Sequence, residues 1–134
     1  MDKTKIKAIF SIYGDEFEIL DVTKTLNIEP TKTYKKGECI KNKKNLFRKE
    51  TLWEISTDYE ECVDINHVLK KILCKIENKS ELLLNIKKSY NLDIKFDFVV
   101  CVENNETPAM CLSKETISFM SKIESSVDFD IYVN

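Results

Sequence analysis

His67 is the only histidine among the 134 residues, so neither a multi-histidine metal site nor a second histidine in an acid–base pair can be assembled. On a helix through this segment His67 lies opposite the apolar stripe. Cys74 shares its side seven residues on, but about 10 Å of helical rise separates the two, and Lys70 and Lys71 fill the positions between. A solvated histidine is therefore the simpler reading than a ligand or base. The five cysteines, Cys39, Cys62, Cys74, Cys101 and Cys111, are odd in number and form no CxxC pair, which predicts reduced thiols rather than a disulfide framework. A cysteine nucleophile needs a base within hydrogen-bond reach, and no spacing ties any of them to His67. Cys101 and Cys111 fall on predicted strands and read as small buried hydrophobes. Cys39, beside Lys36 and Lys41, is the one whose surroundings could lower a thiol pKa, although an inert exposed thiol is simpler.

Phosphate-cradling loops need several glycines at fixed offsets, and only Gly14 and Gly37 are present, so P-loop and dinucleotide motifs are absent. Asp128 and Asp130 share one face of a predicted strand. They could hold a cation, but a solvated strand face accounts for them more simply. Lys32 to Lys49 holds eight basic residues and one acidic one, leaving 13 basic and 22 acidic residues elsewhere. With Tyr34, Phe47 and Arg48 the segment has the cations and aromatics that single-strand nucleic acid uses. The acidic remainder opposes a long polyanion, so a mobile solvated loop is the preferred reading and nucleic acid the lesser one.

The elements that must position these groups follow from periodicity. Ile6, Ala8, Phe10 and Ile12 alternate as a first strand ending near Gly14. Ile19, Val22 and Leu26 mark a short helix ended by Pro30. TKTYKKGE reads as a strand turning at Gly37, residues 39 to 50 as a loop, and Thr51 to Thr57 as a strand with Trp53, Ile55 and Thr57 on one side. Ile65, Val68, Leu69, Ile72, Leu73 and Ile76 fit an amphipathic helix, and Ser80 reads as the N-cap of another. From Leu92 the sequence alternates strictly until Val99 and Cys101 make the second face apolar too, and this strand should be central. ENNETP reads as a turn, AMCL as a short return strand, and Ser113 as the cap of a helix carrying Ile117, Met120 and Ile123. Val127, Phe129, Ile131 and Val133 form the last strand. Phe10, Trp53, Leu69, Ile72, Phe96, Phe98, Val100, Phe129 and Ile131 are expected in or beside one core.

The order β-α-β-β-α-α-β-β-α-β predicts one α+β domain over residues 1–134, with a mixed, mainly antiparallel sheet and helices on one side, ferredoxin-like or a related split sheet. No apolar run is long enough to span a bilayer, and the N-terminal segment lacks the apolar block of a signal peptide, so a cytoplasmic protein without membrane association is expected.

Leu26, Ile28, Pro30 and Thr31, then Lys36, Gly37 and Glu38, then Trp53, and finally Asp130, Ile131 and Tyr132 resemble the bacterial family termed domain of unknown function 4279. The resemblance runs over nearly the whole chain and implies a small α+β domain with no catalytic residues or cofactor to carry over. Families of this kind often accompany polymorphic toxins as immunity proteins, an analogy drawn from the company they keep. The expected function is thus an immunity or inhibitor protein that occludes a bacterial toxin without catalysis. Asp58, Tyr59, Glu60, Glu61 and Asp64 form its expected contact surface, an aromatic among carboxylates facing a basic partner. Acidic turns at helix starts also arise simply because they favour the macrodipole. The alternative is a small-ligand or nucleic-acid sensor with Lys36, Gly37, Glu38 and Trp53 around a pocket.

Overall fold

The computed structural model describes residues 2–134. Its elements run β1 (Lys5–Gly14), α1 (Ile19–Leu26), β2 (Lys32–Tyr34), β3 (Thr51–Ser56), β4 (Glu60–Glu61), α2 (Asn66–Ile76), α3 (Ser80–Tyr90), β5 (Asp93–Val102), α4 (Lys114–Lys122) and β6 (Ser126–Val133). The α+β class and the mixed, mostly antiparallel sheet match the expectation. The six-stranded sheet is ordered β2-β3-β1-β5-β6, and β4 pairs with β1 beyond the end of β3. All pairings are antiparallel except β5 with β6, which are joined through α4 and run parallel.

Alternation decides which face is buried. Ile6, Ala8, Phe10 and Ile12 of β1, Trp53 and Ile55 of β3, and Ile94, Phe96, Phe98 and Val100 of β5 point to one side and are almost wholly buried there. Cross-strand partners fill the layer in different ways. Phe10 stands opposite Phe96 with ring centroids 5.1 Å apart, and small Ala8 stands opposite Phe98. Val68, Leu69, Ile72 and Ile76 of α2, Leu83 and Ile86 of α3, Val22 and Leu26 of α1, and Met120 and Ile123 of α4 complete a single core on that side. A Cβ on Gly14 would lie 2.6 Å from Leu92 Cδ2, the tip of a side chain that would have to shift to admit it.

Several local expectations need correction. Helix α1 ends at Asn27, in the left-handed region with φ 54°, rather than at Pro30. The Asn27 N–H donates to the Thr23 carbonyl, and Asn91 ends α3 in the same way. Ser80 is the first residue of α3 and makes no cap, whereas the Ser113 hydroxyl does accept the Thr116 N–H at 3.1 Å. AMCL forms no strand. Only Ala109 bridges, to Asp64, because the Ala109 N–H and C=O are taken by Val63 and Ile65. Residues 38–48 are a paired hairpin rather than an open loop. The Gly37 N–H donates to Arg48, the Arg48 N–H to Glu38 and the Ile40 N–H to Leu46. Left-handed Asn42 and Asn45 shape its tip.

The larger correction concerns β6. Phe129 and Ile131 share the covered side of the sheet in register with Phe98 and Val100, yet they are 39% and 47% exposed, and Val133 reaches 71%. Phe129 stacks on Phe98 at 5.3 Å yet stays exposed at the margin of the core. The helices roof β1, β3 and β5, and their cover thins past half-buried Val127. Ile117, expected inward on α4, is likewise exposed.

Candidate protein-binding surface

Between the Ile9–Ser56 and Ile6–Glu60 pairs, β1 supplies Lys7 and Ala8 while the facing chain supplies Thr57, Asp58 and Tyr59. Three residues against two make a β-bulge. The Thr57 backbone N–H donates to the Ala8 carbonyl at 2.9 Å, and its hydroxyl accepts the Ala8 N–H at 3.0 Å, so Thr57 takes both hydrogen bonds of that rung. Without the extra residue Tyr59 would follow Trp53, Ile55 and Thr57 toward the core. With it, Tyr59 turns onto the uncovered face, where Lys5 and Lys7 Nζ lie 5.5 and 5.4 Å from its ring centroid.

The bulge also divides the five residues expected to act together. Glu60, in register with inward-facing Ile6, sits beside α2. Its carboxylate is 2.5 Å from Lys71 Nζ and 3.1 Å from His67 Nε2, and these partners, Lys71 foremost, hold its pKa below the ordinary carboxylate value. His67 is thus half-exposed against Glu60 rather than simply solvated. Asp64 accepts from the Asn66 N–H and side-chain amide at the start of α2 and serves the helix. Tyr59 and Glu61, which pairs with Lys5, remain for the open face, whereas exposed Asp58 lines a depression with Lys71, Ile72 and Lys75 of α2.

Lys36, Gly37, Glu38 and Trp53 are not brought together as a pocket. Trp53 is fully buried on the opposite side, its indole N–H donating to Thr23 Oγ1 at 3.0 Å. Lys36 forms an ion pair with Asp15, and Gly37 and Glu38 are rungs of the hairpin. On the basic hairpin, the Arg48 guanidinium lies 4.0 Å from the centroid of Tyr34, so that ring already holds an internal cation. Cys39, Cys74 and Cys111 are exposed, while Cys62 and Cys101 are half-buried. Cys111 is therefore not the buried hydrophobe expected of it.

What sequence reasoning missed is the open face as a surface. Register places Lys32, Glu54, Ser11 and Lys95 in one row across it, Ile9, Asp97 and Asp128 in the next, then Lys7, Val99 and Asp130, and last Glu61, Lys5, Cys101 and Tyr132. A shallow depression of about 230 Å³ lies between Tyr13, Tyr34, Glu54 and Lys95. Burial raises the pKa of Glu54, against Lys32 and Lys7. Burial likewise raises Asp97, helped by Asp128 and Asp130 and opposed by Lys95 Nζ at 3.6 Å. The Tyr132 phenol is raised chiefly by Asp130, to which it donates at 3.3 Å. The even spacing of Lys5 and Lys7, and of Asp128 and Asp130, was legible as a solvent face. That these pairs share one surface with Tyr59 depends on strand order. The chemistry on offer is ion pairing and aromatic contact.

No helix among the described residues is long and apolar enough to cross a membrane. No curated protein and no solved structure matches the chain. Residues 4–134, nearly its full length, match the family described as Domain of unknown function (DUF4279), and the chain belongs to that family.

Proposed function

We propose that this protein is a stoichiometric binding protein of the immunity or inhibitor kind, which occludes a bacterial toxin without performing chemistry. The observation that carries the reading is Tyr59, 47% exposed on a bulge that turns it away from the core and sets it between Lys5 and Lys7. Bulges re-aim side chains at functional surfaces, and a tyrosine braced by neighbours loses little freedom when a partner covers it. Tyr132, exposed in the same row as Glu61 and Lys5, continues the aromatic surface, and Glu61, Asp128 and Asp130 supply negative charge on that face.

The test is co-expression with the product of a neighbouring reading frame that is toxic alone, followed by binding kinetics on the purified pair. Tyr59→Ala should speed release, costing about 2 kcal/mol if it is a hot spot. Glu61→Lys should slow association in a salt-dependent way, and Glu60→Lys should act less on association, because Glu60 is turned to Lys71 and His67. Variants folded by circular dichroism that protect and bind like wild type would remove this surface from consideration. Absence of any neutralised neighbouring toxin would remove the immunity reading.

A further inference from the structure

Among the described residues, strand β6 closes one end of the sheet and pairs on one side only, with β5. It is eight residues long, against three for β2 at the other end, so it presents the longer row of unpaired backbone groups. Along that free edge the side chains alternate by chemistry. Phe129, Ile131 and Val133 stand exposed on the side of the helices, and Asp128, Asp130 and Tyr132 stand on the open side. An edge that is long, apolar on one face and acidic on the other is a template for an added strand.

Two occupants could supply such a strand, and charge separates them. A second copy pairing antiparallel about a two-fold axis centred on Asp130 would set Asp130 against itself. Centred on Phe129, it would set Asp128 against Asp130. Like charges directly opposite destabilise a strand pair, and Asp97, in register with Asp128, adds a third carboxylate. Lys95 Nζ, 3.6 Å from Asp97, is the cation at hand. A self-pair in either of these registers is therefore disfavoured, and a strand carrying lysine or arginine at alternate positions is favoured.

We propose that β6 is a β-augmentation edge that accepts an extended segment of a partner protein, alternating apolar residues toward Phe129, Ile131 and Val133 with basic residues toward Asp128 and Asp130. This rests on the protein-binding reading above and names how part of that partner is held. Main-chain hydrogen bonds would set the register, the carboxylates its charge selectivity, and the exposed phenylalanine and aliphatic side chains its apolar contact.

The full-length protein titrated with synthetic octapeptides of alternating valine and lysine, or valine and glutamate, tests it by amide chemical shifts. The lysine peptide should perturb residues 126–134 and bind about tenfold or more tighter than the glutamate peptide, from two cross-strand charge pairs changing sign. The paired change Asp128→Lys and Asp130→Lys, on exposed positions, should reverse the preference. A lysine peptide with every second amide N-methylated should lose the β6 response. Lack of β6 shifts at millimolar lysine peptide, equal response to both peptides, or an unchanged preference in the double variant would each overturn the proposal. So would a wild-type dimer in sedimentation whose formation protects the amides of residues 126–134 from exchange, since a second copy would then hold the edge. A toxin complex weakened by Tyr59→Ala but indifferent to the β6 changes would overturn this inference alone and leave the immunity reading standing.

Discussion

Strand β5 has a covered side and an open side, and the two obey different rules. On the first, Phe96, Phe98 and Val100 are shut away under helices, facing Phe10, Ala8 and Ile6 across the strands. On the second, Lys95, Asp97, Val99 and Cys101 are half-buried among tyrosines and charges. Here the expense of burial shows in raised carboxyl pKa values rather than in packing. The covered side holds the chain folded, whereas the open side carries groups whose charges are only partly satisfied within the molecule. Strand β6 crosses this division, since its apolar residues belong in register to the covered side yet remain in water.

The sharpest way to break the comparison is to truncate the stacked pair one ring at a time. Phe98→Ala should lose about 3 to 5 kcal/mol in denaturant unfolding, through lost burial and the cavity left behind. Phe129→Ala, next to it in register, should lose about 1 to 2 kcal/mol, from the aromatic contact and its partial burial. Equal losses would mean that the helices cover β6 in solution. A smaller effect is expected at the buried indole. Thr23→Val should lose about 1 to 2 kcal/mol by leaving the Trp53 N–H without its acceptor, and tryptophan fluorescence in the native state should remain that of a buried ring.

Titration separates the two sides by sign. Glu54 and Asp97 have raised pKa values in the fold, so folding favours their protonated forms. Their contribution is full below the unfolded-state pKa and is lost as pH rises through the raised folded one. At neutral pH Glu54→Gln and Asp97→Asn should therefore raise the denaturation midpoint, and the gain should fade as the solution is acidified through the ordinary carboxylate range. Glu60 is the opposite case. Its lowered pKa means that its stabilisation is present above the unfolded value and is lost as pH falls through the folded one. Glu60→Gln should lower the midpoint slightly near neutrality, the smallest effect of the series because the group lies near the surface. The difference from wild type should close in acid, and salt should shrink it.

Much of the scaffold was written locally. Period-two alternation in Ile6 to Ile12 and in Leu92 to Val102, and period-3.6 recurrence from Ile65 to Ile76, place strands, helix and buried face without reference to anything distant. Ser113 at its cap and the Gly37 turn are also local, each decided by what neighbouring backbone groups require. The matters left to tertiary structure are those in which one segment's environment is set by another. Phe129 and Ile131 carry the same alternating signature as Phe98 and Val100, and only the strand order, with β6 at an edge that the helices do not roof, leaves them in water. Tyr59 continues an inward alternation until one residue beyond the β1 register turns it outward. Lys5, Lys7, Asp97, Asp128, Asp130 and Tyr132 come from strands far apart in the chain and become one surface through pairing. Burial and charge proximity are sums over neighbours, and hydrophobic period states which way a side chain points but not which elements, or whether any, will stand above it.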